Sequence, residues 1–540
     1  MNKRYFAVML LMGLLLVGMG SSGTLAVDVR LLPSKDTLVI ALKSDLSNLD
    51  PHKTAAYNDE LALDLGYDTL VKLDFDLKTV KPGLATSWEV SPDALKYTFK
   101  LKKNVKFHSG KPVTAKDVVY SFQRWYNDTA SPTRDRIMAM DKITAVDDYT
   151  VQITLKTPSE TFLFDLTEPY ACVVNKESID KAASSGVPYG SAGYDGTGPF
   201  KFKEWKRNEY LLLERFDDYK WGSEIFDNPG PSPFKYVLIR PIPDTGMRMI
   251  EFETGAIDLV VGDALPATEI GRLLKHDKVT VSLFDQFYCD YVCFNMTKPI
   301  FKDVRVRRAL NYAIPRDEYV HTIFSGYASP AYGPVTPNSA GYWAGLDKAA
   351  YKYNADMANK LFNEAGWKMR SDGFRYKDGQ RLSFNLYYGV CPEYESGMPM
   401  LQAYLRESGV DLKLVPMDWG AFFAAINTGE QDTYIVGYKW RHTYRVLRGY
   451  FHSDRIPYPN RAQYSNPEVD KLFTIGETAA SKNARVKAYD DIQRIINEDA
   501  VWLPLYHKTG WMGVSRRLVN FKPHAFLGTG TSIPLDYYKK

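Results

Sequence analysis

One pattern restricts the fold more than any other. Between residues 355 and 436, an apolar-periodic helical stretch ends on glycine three times and then gives way to a new segment. Residues 355–365 stop at Gly366, residues 398–408 at Gly409 before Val410-Asp411-Leu412-Lys413-Leu414, and residues 419–428 at Gly429 before Thr433-Tyr434-Ile435-Val436. A glycine just past a helix is the expected left-handed cap. Helices handing over to strands in this rhythm favour layered α/β sheets over a bundle or a sandwich. The rest of the chain agrees. Residues 38–42 read as a buried strand, and residues 97–101 and 150–155 alternate as half-exposed strands do. Between these, Thr114 opens a helix with a capping hydroxyl. No sequence period recurs, so the chain is not a solenoid.

The chain has 540 residues, enough for about three to four domains. Its net charge of +4 gives no broad attraction to nucleic acid or anionic lipid, and no nucleic-acid partner is expected. Lys3 and Arg4 precede an apolar run over residues 6–19, small residues over 20–23, and Thr24-Leu25-Ala26. This layout reads as an export signal over residues 1–26 cut after Ala26, with an uncleaved anchor as the alternative. No cysteine lies near the cut, so no lipobox is expected, and the mature protein is placed in the periplasm.

Catalytic and cofactor signatures fail in turn. Ser109-Gly110-Lys111-Pro112 has proline where a phosphate loop needs Ser or Thr, and Gly190-Ser191-Ala192-Gly193 lacks the spacing of a nucleophile elbow. Asp64 and Asp68 fall at helical spacing and fit a solvated face, and His442 and His452, ten residues apart, fit a solvated surface better than a metal site. Cys289 and Cys293 lie four residues apart on one strand, about 13 Å when extended, too far to bond to each other. They read as buried thiols, and a bridge involving Cys172 or Cys391 stays open. No cofactor, metal or enzyme activity is expected; an exported hydrolase is the alternative.

Residues 84–91, 97–102 and 105–118, with Gly196-Thr197-Gly198-Pro199-Phe200, Phe294-Asn295, residues 303–310 and Glu364-Ala365-Gly366-Trp367 in the same order, resemble the family 5 extracytoplasmic solute-binding proteins. These are the dipeptide-, oligopeptide- and nickel-type receptors of ABC importers. The resemblance implies a two-lobed clamshell with an additional domain in the first lobe, a solute bound in the cleft, a membrane-embedded permease as partner, and a monomer. The expected division is residues 28–71 (first lobe), 72–193 (additional domain), 194–283 (first lobe again), 284–503 (second lobe) and 504–540 (return to the first lobe).

The same resemblance bears on the solute. In the peptide receptors a strand ending in Gly-Trp leads to an aspartate that pairs with the peptide ammonium; the corresponding segment here, residues 432–442, has Arg441 at that place. A cation does not pair with a buried ammonium. The expected solute is therefore peptide-like or opine-like and anionic, with an oligosaccharide as the alternative. Expected ligand contacts are Tyr438, Trp440 and Arg441, with Trp419, Tyr387, Tyr388 and Tyr394 as aromatic walls and Gly196, Thr197 and Gly198 as a backbone-exposing loop. From Lys439 to Arg461, cations and aromatic rings alternate, and whether that stretch lines the cleft or the surface stays open.

Overall fold

The strand Thr37–Leu42 is buried along almost its whole length, and its position in the sheet explains its unbroken apolar run. It pairs in parallel with Tyr236–Pro241 on one side and Leu259–Val260 on the other. Around it a seven-stranded sheet runs in the order Val279–Phe284, Gly510–Ser515, Leu259–Val260, Thr37–Leu42, Tyr236–Pro241, Tyr210–Arg215, Phe200–Lys206. This is the first lobe of the computed structural model, which describes residues 28–159, 161–479 and 481–540. The expected export signal, residues 1–26, lies outside the described residues.

The second lobe is a six-stranded sheet in the order Ala328–Pro330, Trp502–Lys508, Tyr288–Phe294, Thr433–Lys439, Ser383–Gly389, Asp411–Met417. Its last three strands are parallel to one another, and Asp411–Met417 and Thr433–Lys439 each follow a helix directly. Gly366, Gly409 and Gly429 all take the left-handed conformation that ends such helices, with φ of 90°, 82° and 76°. The chain enters this lobe between Phe284 and Tyr288. It leaves after Lys508, because Trp502–Lys508 pairs with Tyr288–Phe294, so the return expected at residue 504 is displaced to Thr509.

A four-stranded antiparallel sheet, Ala85–Val90, Lys96–Leu101, Thr150–Leu155, Met140–Asp147, forms the additional domain. Helix Ala115–Asn127 packs on it, fixed at its start by a capping box between Thr114 and Asp117. Phe99 and Phe107 are fully buried there. Asp303 caps the second-lobe helix Val304–Tyr312 by accepting from the Arg305 amide. All four cysteines are free, with Cys172, Cys289 and Cys293 buried and Cys391 half-buried.

Candidate functional site

A cavity of about 430 Å³ opens between the lobes. The second lobe contributes the end of strand Thr433–Lys439 and the residues that follow it, Trp440, Arg441 and His442, before helix Thr443–Phe451 begins. Crevices beyond the carboxyl ends of parallel strands are where open α/β sheets hold ligands. Across the gap stand helix Tyr57–Gly66, the short helix Phe162–Asp165 and Phe526 of the C-terminal segment.

The walls carry charge of both signs, and most of it is paired across the gap. Arg441 Nη2 donates to Glu60 Oε2 at 3.0 Å and to the Phe526 carbonyl at 3.2 Å, and its guanidinium lies 4.9 Å from the centre of the Phe526 ring. Its side chain is only 10% exposed, yet Nη1 has no hydrogen-bond partner. Arg445 pairs with Asp165 and, at 2.7 Å, with Asp135, and Arg136 Nε lies 2.5 Å from Glu168 Oε2. Lys439 donates to the Ala525 carbonyl at 2.8 Å. Burial lowers the Lys439 pKa to about 8, with Glu60 opposing the shift and Arg441 adding to it. Burial and the neighbouring Arg445 hold His442 at about 3, so its imidazole is neutral, and Asp165 is pushed up by burial against the pull of Arg445.

Of the residues expected from the sequence, Trp440 and Arg441 line the cavity. Tyr438 does not: its hydroxyl donates to the Pro334 carbonyl, and its ring stacks 5.0 Å behind Trp440, so it supports the wall from within the core. The aromatic candidates Tyr387, Tyr388, Tyr394 and Trp419 lie elsewhere. They belong to or follow Ser383–Gly389 and Asp411–Met417, which sit one and two strands outward from Thr433–Lys439, at about 4.8 Å per strand. Tyr394 is buried with its hydroxyl on the Asp290 carboxylate, Tyr388 is buried, Tyr387 is half-buried against the core, and Trp419 is exposed with Nε1 on the Val390 carbonyl at 3.1 Å.

Gly196, Thr197 and Gly198 are also displaced from the expected place. They pack under the end of helix Tyr57–Gly66, where Gly198 N donates to Gly66 O at 3.0 Å and Thr197 Oγ1 accepts from Asp68 N at 3.0 Å. A Cβ on Gly196 would lie 2.0 Å from the Gly66 carbonyl oxygen, so the glycine serves a backbone contact inside the first lobe.

Two further expectations are corrected. Asp64 and Asp68 are buried, Asp64 accepting from Gly528 N at 2.9 Å and Asp68 from Trp221 Nε1 at 3.2 Å. His442 lies in the cavity wall, 4.7 Å from the Phe164 ring, and not on a solvated surface. The basic stretch divides: Lys439, Arg441 and Arg445 face the cavity, whereas Arg448 pairs with Asp454 and Glu477, and Arg461 donates to Asn427 at 2.8 Å. Sequence reasoning missed Glu60, Phe164, Asp165, Glu168 and Phe526, which come from three separated stretches and share no motif.

Comparison with known proteins places this architecture. Residues 79–455 match the bacterial extracellular solute-binding proteins, family 5. The probable D,D-dipeptide-binding periplasmic protein DdpA of Escherichia coli K12 is 29% identical over 498 residues, 90% of this chain and 91% of its own. The oligopeptide-binding protein AppA of Bacillus subtilis, solved with a nonapeptide, superposes with a TM-score of 0.77 at 26% identity, covering 93% of this chain and 99% of its own. NikA of Brucella suis, solved with Fe(III)-EDTA, gives a TM-score of 0.82 at 26% identity over 93% and 100%. These relatives are two-lobed binding proteins, and among the described residues no helix is long and apolar enough to cross a membrane. With a family match over residues 79–455 and likeness over nearly the whole fold, this chain belongs to the bacterial extracellular solute-binding proteins of family 5.

Proposed function

We propose that the protein is the periplasmic substrate-binding component of an ABC importer, and that it captures a peptide-like or opine-like solute by an anionic group and delivers it to a membrane permease. The observation that carries the solute class is Arg441: a cation in the cavity wall just past the end of the central cleft strand, nine-tenths buried, with Nη1 lacking a hydrogen-bond partner. Guanidinium pairs strongly and directionally with carboxylate. Trp440 Nε1 and His442 Nδ1, on the flanking residues, are likewise buried without partners, so one short segment offers three unsatisfied polar atoms beside the cavity. A volume of about 430 Å³ suits a small solute. Delivery without turnover would follow from lobe closure around the solute, each lobe supplying part of the wall.

Binding of di- to pentapeptides, each with both ends free, N-acetylated or C-amidated, tests this. The expected result is that N-acetylation is tolerated and C-amidation is not. Tight binding that requires a free amino group refutes the anionic-group reading while leaving the receptor role intact. An oligosaccharide has the support of the rings of Tyr57, Phe164, Trp440 and Phe526 in the wall; binding insensitive to both end groups, with sugar binding in their place, selects it.

A further inference from the structure

We infer that Lys439 is a specificity-determining residue of the cleft, and that it forms with Arg441 a two-cation seat for one oxyanionic group of the solute. This rests on the reading of Arg441 given above and extends it to a residue that neither the sequence pattern nor the comparisons assign.

The argument begins with alternation. Along the extended segment, Tyr438 and Trp440 stack on each other at 5.0 Å and belong to the second-lobe core, with Trp440 also reaching the cavity wall. Lys439 and Arg441 take the other side, and both meet the same ring: Lys439 Nζ is 5.1 Å and the Arg441 guanidinium 4.9 Å from the centre of Phe526. Their charges are not balanced locally. Among the described residues no carboxylate lies within 4.0 Å of Lys439 Nζ, whose hydrogen-bond partner is the Ala525 carbonyl and whose other close contact is the Tyr57 ring at 4.9 Å. Glu60 faces both cations, but one of its oxygens pairs with Arg441 and the other accepts from Tyr170 at 2.7 Å. Within pairing distance the two cations thus share one carboxylate that is already hydrogen-bonded on both sides, while Asp64 and Glu168 act on Arg441 from farther away. The acid that balances the count is at the other end of the cavity, on Asp135, whose side chain is 65% exposed and screened by water. A surplus cation in a partly dry cavity is costly unless an anion joins it. A carboxylate or a phosphate group on the solute supplies that charge, with Arg441 Nη1 and Lys439 Nζ as its donors.

The seat has a titration signature. Lys439 is faced by Tyr57 and Glu60 from the first-lobe helix, by His524 and Phe526 from the C-terminal segment, and by Arg441 from its own segment. Tyr57 is held above its usual range and His524 near 3, both mainly by burial, so neither changes charge between pH 7 and 9. Lys439, lowered to about 8 by burial, does. An anion binds best while the ammonium is protonated, so affinity falls as pH rises through 8, by about tenfold between pH 7 and pH 9 if the seat depends fully on that proton.

Titration calorimetry on the mature protein tests this with N-acetyltrialanine, which has no titrating amine, its C-terminal amide, and inorganic phosphate. In the wild type the acid is expected to bind at least tenfold tighter than the amide at pH 7 and to show the fall by pH 9. Lys439→Met, which keeps the aliphatic stem on Tyr57 and Phe526, should weaken acid binding about tenfold at pH 7 and abolish the pH dependence. Lys439→Arg should bind at pH 9 as it does at pH 7. Phosphate binding tighter than the peptide acid, with the same dependence on residue 439, identifies the oxyanion as phosphate. Acid-selective binding that is unchanged in Lys439→Met overturns this inference alone. Failure of the wild type to bind any of the probes overturns it together with the reading of Arg441.

Discussion

Asp64 provides a quantitative test of how the cleft is built. It lies on the helix that carries Tyr57 and Glu60, is 2% exposed, and accepts from the Gly528 amide two residues beyond Phe526. Burial raises its pKa from 3.8 to about 6, although Lys72 and Arg441 pull it down. The folded value lies above the unfolded one, so folding favours the protonated form. The penalty on the ionised form is absent below pH 4, grows between pH 4 and 6, and is complete above pH 6. Two pKa units amount to about 3 kcal/mol. Asp64→Asn keeps an acceptor for the Gly528 amide and removes the charge. It also introduces an amide N–H pair whose burial costs about 1–3 kcal/mol at every pH. That cost cancels when the variant is compared with the wild type at two pH values by urea unfolding. The expected outcome is that Asp64→Asn gains up to about 3 kcal/mol relative to the wild type on going from pH 4 to pH 7.5. If the variant loses ground over that interval, Asp64 is a carboxylate stabilised by Lys72 and Arg441, and the desolvation argument fails.

Other outcomes follow from the same geometry. The double variant Arg441→Met/Glu60→Gln removes both members of the cross-cleft pair; it should lower affinity for an N-acetylated peptide acid at least tenfold, by calorimetry. Gly196→Ala places a Cβ 2.0 Å from a backbone oxygen and should cost about 3 kcal/mol or prevent folding of the first lobe, read as loss of soluble protein or of the urea transition. Trp419→Ala, at an exposed ring outside the cavity, should leave solute affinity unchanged. With four free cysteines, a reducing agent should not move the urea midpoint.

The sequence disclosed the parts of this structure that obey local rules. Gly366, Gly409 and Gly429 mark helix ends because a left-handed residue there has few alternatives, and Asp303 and Thr114 mark helix starts because orphan amides need acceptors. Trp440 and Arg441 reach the cavity wall because they directly follow one continuous strand. Tyr387, Tyr388, Tyr394 and Trp419 were misplaced because local composition does not reveal strand order: aromatic residues at the ends of neighbouring strands look alike until the sheet shows which strand is central. Gly196 and Gly198 misled for a related reason, since a glycine needed by a neighbouring backbone reads the same as one needed by a ligand. Asp64 and Asp68 show the limit of spacing rules. Helical periodicity puts both on one face, but the helix ends at Gly66, before Asp68, and spacing cannot say that Gly528 and Trp221, far away in the chain, will bury these acids.

The charge layout also bears on why a solute should favour closure. On the reading proposed here, Arg441–Glu60 and Arg445–Asp165 join the lobes, yet such pairs exchange water for a partner and contribute little net energy: exposed pairs are worth about 0–1 kcal/mol, and buried ones often only offset their desolvation. They fix the register in which the lobes meet better than they hold them shut. The unbalanced element is the cation surplus at Lys439 and Arg441, which works against closure of an empty cavity because it takes a charge out of water without compensation. An anionic group removes that cost only in the closed arrangement, where Phe526 and Ala525 complete the seat. A ligand shifts a two-state equilibrium only by its differential affinity for the two states. On the proposed reading the difference arises where two cations meet one aromatic ring and one occupied carboxylate, so the group that confers affinity is the same one that drives closure.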